Sequence, residues 1–365
     1  MAGLVHTVGT YNMSFMNDLL TAIGPETAFA SEAVFLARLQ GKPDQRRSFW
    51  INALNLLKDF LEKEKPSVVG LQEMNVTEPG SNTGTDAVNT MLAGTPYKQI
   101  SQKVEKNNAG LSIIYNPEKI GELKNVVCID NVNQGGRPLL MVFSEKDGKK
   151  YVSVTMHGAQ EKGNGDDITK INEYMLKNNK KFLEENITNF LESNAITLDK
   201  LTCLFVTGDF NDRYGAIKDI TIGGKSAVYS GNPPKSCCHT WSSSCPDDLV
   251  EHDFGNGYKR CAQPEKKEGD DGSKLPLTPP ERGAIKNYKY EGDKVFGFNP
   301  VSDMAIYRPE KEGWDGISKE SDHELVYASF SEGAAGGRRF ARKNRTKKRR
   351  YKLRSSKSNR IRNRN

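Results

Sequence analysis

Long apolar runs are missing from this 365-residue chain. No stretch approaches the roughly 18 consecutive apolar residues of a membrane-spanning helix. Residues 1–10 (MAGLVHTVGT) also lack the apolar core of a secretion signal. Cysteine is sparse: Cys128, Cys203, Cys237, Cys238, Cys245 and Cys261 are the complete set. In a chain this long, with no secretion signal, an even cysteine count does not make a disulfide framework. The expectation is an intracellular, reduced protein. Paired C-x-x-C spacing is missing too. Cys237, Cys238, His239, Cys245 and Cys261 run C-C-H-x5-C-x15-C, which disfavours a structural zinc centre. Acid is missing from the C-terminus: Arg338 to Asn365 holds 15 Lys/Arg and no Asp or Glu. The net charge of +7 therefore belongs to the tail. Residues 1–337 keep 38 basic and 46 acidic side chains, a net of −8.

What is present is a sequence of short apolar segments. LVHTVGTY (4–11) reads as a first strand ending at Asn12, followed by a mainly helical stretch from about 17 to 65. Its last part places Trp50, Ala53, Leu56, Leu57, Phe60 and Leu61 on one face, and Pro66 stops it. SVVGLQE (67–73), AGLSIIYN (109–116), RPLLMVFS (137–144) and KYVSVTMHG (150–158) read as strands. A helix is expected over 167–193, with Ile168, Ile171, Met175, Phe182, Ile187, Phe190 and Leu191 as its apolar stripe. LTCLFVTGD (201–209) is the next strand, and 295–309 and 324–330 are the last. Residues 212–290, rich in Gly, Pro, Ser and Lys, read as a loop-rich insertion with a few short strands. Strands alternating with helices, then strands in meander, predict a layered α/β or α+β domain.

The strands share one peculiarity. Asn12, Glu73, His157, Asp209 with Asn211, and Asp322 with His323 each stand at a strand end. One such ending is ordinary turn chemistry, and Asp212 next to Arg213 has that plain reading. Five in one chain point to a common edge where they line a single crevice. Carboxylates suit Mg²⁺ or Mn²⁺. An amide can fix a phosphate oxygen or a water, and an imidazole beside a carboxylate can move a proton. Together these are the parts of metal-assisted phosphate ester hydrolysis.

LQE (71–73), GDFN (208–211) and SDH (321–323), in this order and at strand ends, resemble the endonuclease/exonuclease/phosphatase superfamily over about residues 4–330. The resemblance implies a four-layer α/β/β/α sandwich of two packed mixed β-sheets with outer helices, DNase I-like. It implies a catalytic domain over 1–332, with 333–365 as a basic tail. It implies Mg²⁺ (or Mn²⁺) held by Glu73, Asp322 and Asn12. Asn12, Arg137 and Asn211 would contact the substrate phosphate. Asp209 would activate the attacking water, His157 and His323 would face the scissile phosphate, and Asp303 would pair with His323. Asp293 is a rival for that last role. The segment CCHTW (237–241) would set Trp241 against the core or the substrate groove.

The expected activity is hydrolysis of nucleic acid phosphodiesters, with DNA or RNA as partner, no membrane, and a monomer. One alternative is a phosphatase or phospholipase C-type hydrolase on phosphoinositide or sphingomyelin. The Pro-x-Trp-x-Asp-Arg block of 5-phosphatases is missing, since Trp241 and Trp314 lie in HTWSS and EGWDG. Another alternative is a non-catalytic nucleic-acid-binding protein, which the complete set of site residues disfavours. The tail reads as a phosphate-binding arm or as a nuclear, nucleolar, viral-factory or virion address. If it is such an arm, deleting 338–365 lowers nucleic-acid affinity at low salt and flattens its salt dependence. The cleavage rate at saturating substrate stays within about 3-fold, because counterion release sets affinity and not chemistry. Filter binding across a salt series, with single-turnover cleavage, checks this.

Overall fold

The computed structural model describes residues 3–13, 45–75, 84–104, 107–131, 137–159, 167–212, 214–234, 236, 250–253, 259–262, 291–307 and 323–333. Its strands are β1 (Val5–Asn12), β2 (Val68–Asn75), β3 (Lys98–Val104), β4 (Asn107–Tyr115), β5 (Glu122–Asn131), β6 (Arg137–Lys146), β7 (Lys149–His157) and β8 (Leu201–Asp209). After these come β9 (Asp219–Ile222), β10 (Lys225–Val228), β11 (Val250–Asp253), β12 (Lys259–Ala262), β13 (Asp293–Gly297), β14 (Ala305–Ile306) and β15 (Val326–Ser331). The helices are α1 (Gln45–Lys63), α2 (Gly84–Leu92), α3 (Pro117–Ile120), α4 (Ile168–Met175) and α5 (Phe182–Ser193). A π-helical turn, Leu176–Lys181, joins the last two.

Two mixed sheets form, in the orders β14-β15-β1-β2-β4-β3 and β5-β6-β7-β8-β13-β10-β9. The side chains define four layers, as the DNase I-like resemblance implies. Ala53, Leu57 and Phe60 of α1 and Val88 of α2 pack on Val69, Leu71 and Ile114 of the first sheet. The inner faces of the sheets meet through Val8, Val68, Leu111 and Ile113 on one side and Leu140, Val142, Phe205 and Val295 on the other. Met175, Leu183, Ile187 and Phe190 cover Leu139, Val154, Leu204 and Val206 on the outside of the second sheet. β8 runs parallel to β7, pairs with β13 on its other side, and is buried along nearly its whole length. An interior strand covered on both faces needs such a near-continuous apolar run.

Some elements depart from the sequence reading. α2 and the strands β3 and β5 were not expected: KQISQKV is a mostly polar edge strand, and ELKNVVCIDN, the edge of the other sheet, sends apolar residues to both faces and shows no alternation. The stretch 295–309 gives β13 and the two-residue β14, with an irregular segment between. The helix over 167–193 contains the π-helical turn. Its buried positions Ile171, Met175, Asn179, Leu183, Ile187 and Leu191 recur every four residues. A four-residue stripe drifts around a 3.6-residue helix, and the wider turn absorbs part of that drift. Leu183 is consequently buried while Phe182 is only partly so, and Ile168 stays exposed. Residues 14–44, 237–249 and 334–365 lie outside the described residues, and with them the Cys237–Trp241 segment and the tail. Among the described residues no helix is long and apolar enough to cross a membrane.

Two polar pins hold the sheets together. Toward the strand ends that carry Asn12 and Glu73, Gln72 accepts from the Thr10 hydroxyl (3.2 Å) and donates to Thr155 Oγ1 (2.8 Å) across the interface. Gly70 lies beside this pin, where a Cβ would come within 2.1 Å of Thr207 Oγ1. At the other end, buried His6 bonds Ser67 Oγ (2.8 Å) through Nδ1 and Glu332 Oε1 (3.3 Å) through Nε2. Tyr151 and Lys149 also donate to Glu332, each at 2.7 Å. Burial holds the His6 imidazole below its ordinary pKa of 6.5, against the opposing pull of Glu332. The folded protein therefore keeps His6 neutral where the unfolded chain takes up a proton. Its contribution to stability is complete above pH 6.5 and falls as the pH drops below that value. Urea melts at pH 7.5, 6.5 and 5.5 should lose stability by up to about 1.4 kcal/mol per pH unit at the acid end. His6→Gln should flatten this slope.

Candidate active site

Six strands, β15 through the residues just before it, bring polar groups to one edge. β1 ends on Asn12, β7 on His157 and β8 on Asp209. His157 and Asp209 are direct partners in the parallel β7–β8 register. Asp293, the first residue of β13, is the direct cross-strand partner of Asp209. His323 lies just before β15, which returns antiparallel beside β1. β2 delivers Glu73 at a register shift between Leu71 and Met74 in its pairing with β4.

Two of these residues hold a backbone that side chains resist. Glu73 (φ 53°) and Asn211 (φ 51°) lie in the left-handed region. Asn tolerates that region through local hydrogen bonds, whereas Glu does not. Here Asn211 N–H donates to Asp209 Oδ1 (2.9 Å) and its side-chain amide to the Gly158 carbonyl (2.7 Å). The bulge in β2 turns Glu73 out of the strand toward the cluster, as bulges beside functional edges do.

The cluster is tight. Asn12 Nδ2 lies 3.2 Å from Asp209 Oδ2, 3.3 Å from Glu73 Oε1 and 3.2 Å from His323 Nε2. His323 Nδ1 faces Asp293 Oδ2 at 2.9 Å, and its Nε2 lies 3.7 Å from Asp209 Oδ2. His157 Nε2 stands 3.6 Å from both Glu73 Oε1 and Asp209 Oδ2. Arg137 Nη1 lies 2.7 Å from His157 Nδ1. Asp209, Asp293, His157 and His323 are all buried.

Their titration follows from this packing. Burial, helped by the Arg137 guanidinium, pushes His157 down to about 3, so its ring is neutral at pH 7. Burial pushes Asp293 up to about 6, against the attraction of His323. Burial also opposes ionisation of Asp209, but neighbouring His323, the Asn211 N–H and the Arg137 guanidinium outweigh it and hold Asp209 below its usual value. One carboxylate stays ionised while its neighbour shares a proton with an imidazole, which separates a base from an acid.

The structure thus gathers Asn12, Glu73, His157, Asp209, Asn211 and His323, with Arg137 against His157. It does not bring Asp303 to His323. Asp303 is exposed on the segment between β13 and β14, and it accepts from Ser230 Oγ at 2.6 Å. Asp293 holds the place expected of Asp303, because β13 pairs with β8 and starts at the site edge. Asp322 lies outside the described residues. Asp212 caps its turn, accepting from the Ala216 and Ile217 N–H groups, and it pairs with fully buried Lys294 at 2.6 Å. Ser236 was not anticipated. Its hydroxyl donates to Asp293 Oδ2 (2.8 Å), and its carbonyl accepts from Glu324 N–H. A lone serine in a loop-rich segment carries no sequence signal for this.

The donor set fits a hard divalent cation. Glu73 and Asp209 offer carboxylate oxygens around the Asn12 amide, and the ligand atoms of Asp209, Asp293 and His323 lie within 4.8 Å of one another.

No family model and no curated protein matches the chain. Solved structures similar to it include Caenorhabditis elegans TDP2, with 13% identity, 90% of this chain and 75% of that one covered, and a TM-score of 0.48. The human Nocturnin catalytic domain shows 13% identity, 91% and 96% coverage, and a TM-score of 0.44. A Bacteroides thetaiotaomicron mannosyl-6-phosphatase shows 12% identity, 88% and 98% coverage, and a TM-score of 0.45.

The strain at Glu73 is measurable. Glu73→Gly removes both the left-handed penalty and a carboxylate beside Asp209. It should raise stability by about 1 kcal/mol relative to Glu73→Gln, which removes the charge alone. Chemical denaturation of the two variants checks this, and equal midpoints would show that position 73 is unstrained.

Proposed function

We propose that this DNase I-like sandwich is a divalent-metal-dependent phosphoric ester hydrolase whose substrates are the phosphodiester bonds of DNA or RNA. The observation that carries the reading is the convergence of ionised Asp209 with the Asp293–His323 pair, His323 Nε2 lying 3.7 Å from Asp209 Oδ2. Glu73 and Asn12 would hold Mg²⁺ or Mn²⁺, with Asp322 as a further expected ligand. The ion, when bound, supplies Lewis-acid stabilisation of a phosphoryl oxygen.

The chain's own groups supply the rest. Asp209 is fixed by the Asn211 N–H at Oδ1, so Oδ2 is the oxygen that orients a water and accepts its proton. His323 gives its Nδ1 proton to the hydrogen bond with Asp293, which sets the ring's orientation. Its Nε2 then faces the position of the scissile group, where a proton taken up at that nitrogen would be donated to developing negative charge. Neutral His157 and the Arg137 guanidinium form the opposite wall, where a phosphate oxygen meets positive charge. Asn211 is held beside Asp209 to meet a second oxygen. Support for nucleic acid over other phosphate esters comes from the charge division between a basic tail and an acidic body.

End-labelled single- and double-stranded DNA and RNA, each with Mg²⁺ and with EDTA, test the reading. Cleavage by the wild type should require the metal. Asp209→Ala and His323→Ala should each lower kcat by about 10³-fold or more while leaving the fold intact. Asp293→Asn, which mis-sets the His323 tautomer, should lose about 10²- to 10⁴-fold. Asp303→Asn should stay within about 2-fold, as expected of a residue away from the reacting groups. Full activity in Asp209→Ala would overturn the assignment of the base. Hydrolysis of phosphoinositide or sphingomyelin alone would overturn the nucleic acid reading.

A further inference from the structure

Asn179 is a buried side chain far from the site in sequence, yet it is bonded to two of its loops. It sits in the π-helical turn between α4 and α5 and is 1% exposed. Its Oδ1 accepts from the Ala159 N–H at 2.9 Å. Its Nδ2 donates to the Phe210 carbonyl at 2.9 Å and the Ala159 carbonyl at 3.1 Å, and it touches Met175 Sδ at 3.2 Å. Ala159 follows His157 by two residues, and Phe210 stands between Asp209 and Asn211. One amide therefore ties the loop after β7 to the loop after β8.

The two loops are also tied to each other. Gly158 N–H donates to the Asp209 carbonyl at 2.6 Å, and the Asn211 amide donates back to the Gly158 carbonyl. A Cβ at Gly158 would stand 2.6 Å from the Phe210 carbonyl oxygen and 2.9 Å from Asn179 Nδ2, so only glycine fits between the loops and the clamp. A buried primary amide offers two donors and an acceptor, and here all are engaged. Asparagine in mid-helix is otherwise unfavourable, and π-helical turns concentrate at functional sites.

We propose that Asn179 is a positioning residue. By clamping residue 159 and residue 210 together, it sets the separation of His157 from Asp209 and Asn211. This rests on the hydrolase reading for its catalytic consequence and on geometry alone for its structural one. A misplacement of about 1 Å between reacting groups costs on the order of 10²-fold in rate.

The test uses ¹⁵N-labelled full-length protein carrying Asn179→Ala or Asn179→Asp. The carboxyl group introduced by Asn179→Asp would keep the acceptor for Ala159 N–H and, held neutral by burial against the Phe210 and Ala159 carbonyls, would donate to only one of them, so the two variants separate the roles. The Ala159 amide should exchange with solvent at least about 10-fold faster in Asn179→Ala than in Asn179→Asp. Both variants should shift the His157 ring and the Gly158 and Asn211 amides, while His6 and Tyr151 at the far end stay unmoved. On whichever nucleic acid the wild type cleaves, kcat should fall about 10²-fold with KM within about 3-fold. Folded variants with unmoved His157 and Asn211 signals would overturn the proposal, as would an unchanged kcat. So would shifts spread equally to His6, which mark general loosening. Asn179→Asp, which has the native shape, carries the test if Asn179→Ala does not fold. The exchange and shift measurements need no substrate, so a failure of the hydrolase reading is recognised separately by an inactive wild type with the clamp intact.

Discussion

Two carboxylates opposite each other on adjacent strands, both buried, form the constraint around which this edge is organised. Asp209 and Asp293 are direct partners across β8 and β13. Like charges in that position destabilise a sheet, and burial raises the penalty. His323 lies between them, bonded to Asp293 and facing Asp209, so one positive or shared proton serves both. The Asn211 N–H and the Asn12 amide satisfy further oxygens of Asp209, and the Ser236 hydroxyl satisfies Asp293. Behind them the fully buried Lys294–Asp212 pair ties the start of β13 to the loop after Asn211. Removing one partner of such a pair typically costs about 3–5 kcal/mol, because the other charge is left buried and alone. The compensation is thus local, and it fixes the positions of the groups it satisfies.

The second constraint is direction. A regular strand would send Glu73 to one face of the sheet and its neighbours to the other. The register shift in β2 and the left-handed backbone at Glu73 bring the carboxylate to the edge, and the same conformation at Asn211 turns the loop after β8 back against Gly158. Below these strained positions the sheets are held by the Thr10–Gln72–Thr155 bonds and the close approach at Gly70. Gln72, next to Glu73, therefore works as a buried pin while its neighbour is turned outward.

What the sequence makes legible follows from which interactions are local. A polar residue that ends an apolar run is visible as a break in pattern, and Asn12, Glu73, His157, Asp209, Asn211 and His323 all stand at such breaks. Asp293 and Asp303 look alike in this respect, since each lies beside a short strand. Only the antiparallel pairing of β13 with β8, made across some eighty residues, separates them. Ser236 and Asn179 are invisible for the same reason: their partners are carbonyls, N–H groups and one carboxylate from other segments. The stripe from Ile171 to Leu191 was legible as a helix but not as a widened turn, because one of its buried positions is the polar Asn179. Polar edge strands such as β3 leave almost no mark, because one side of them needs no apolar cover.

The ends of the sandwich differ in chemistry, and this bears on the reading of the tail as a phosphate-binding arm. β1 runs from His6 to Asn12 and β15 from the neighbourhood of His323 to Ser331, so the two polar clusters mark opposite edges. At about 3.3 Å per residue, the edges are separated by roughly 20–25 Å. Glu332, held by His6, Tyr151 and Lys149, fixes the chain at the far edge just before the basic tail begins. The point where the tail is attached thus lies at the edge away from the carboxylates. The acidic edge has Arg137, set against His157, as a positive charge of its own, and in the proposed reading it would also take up a divalent cation. In the proposed reading the attachment of the tail and the chemistry therefore stand at opposite ends of the same strands, β1 and β15.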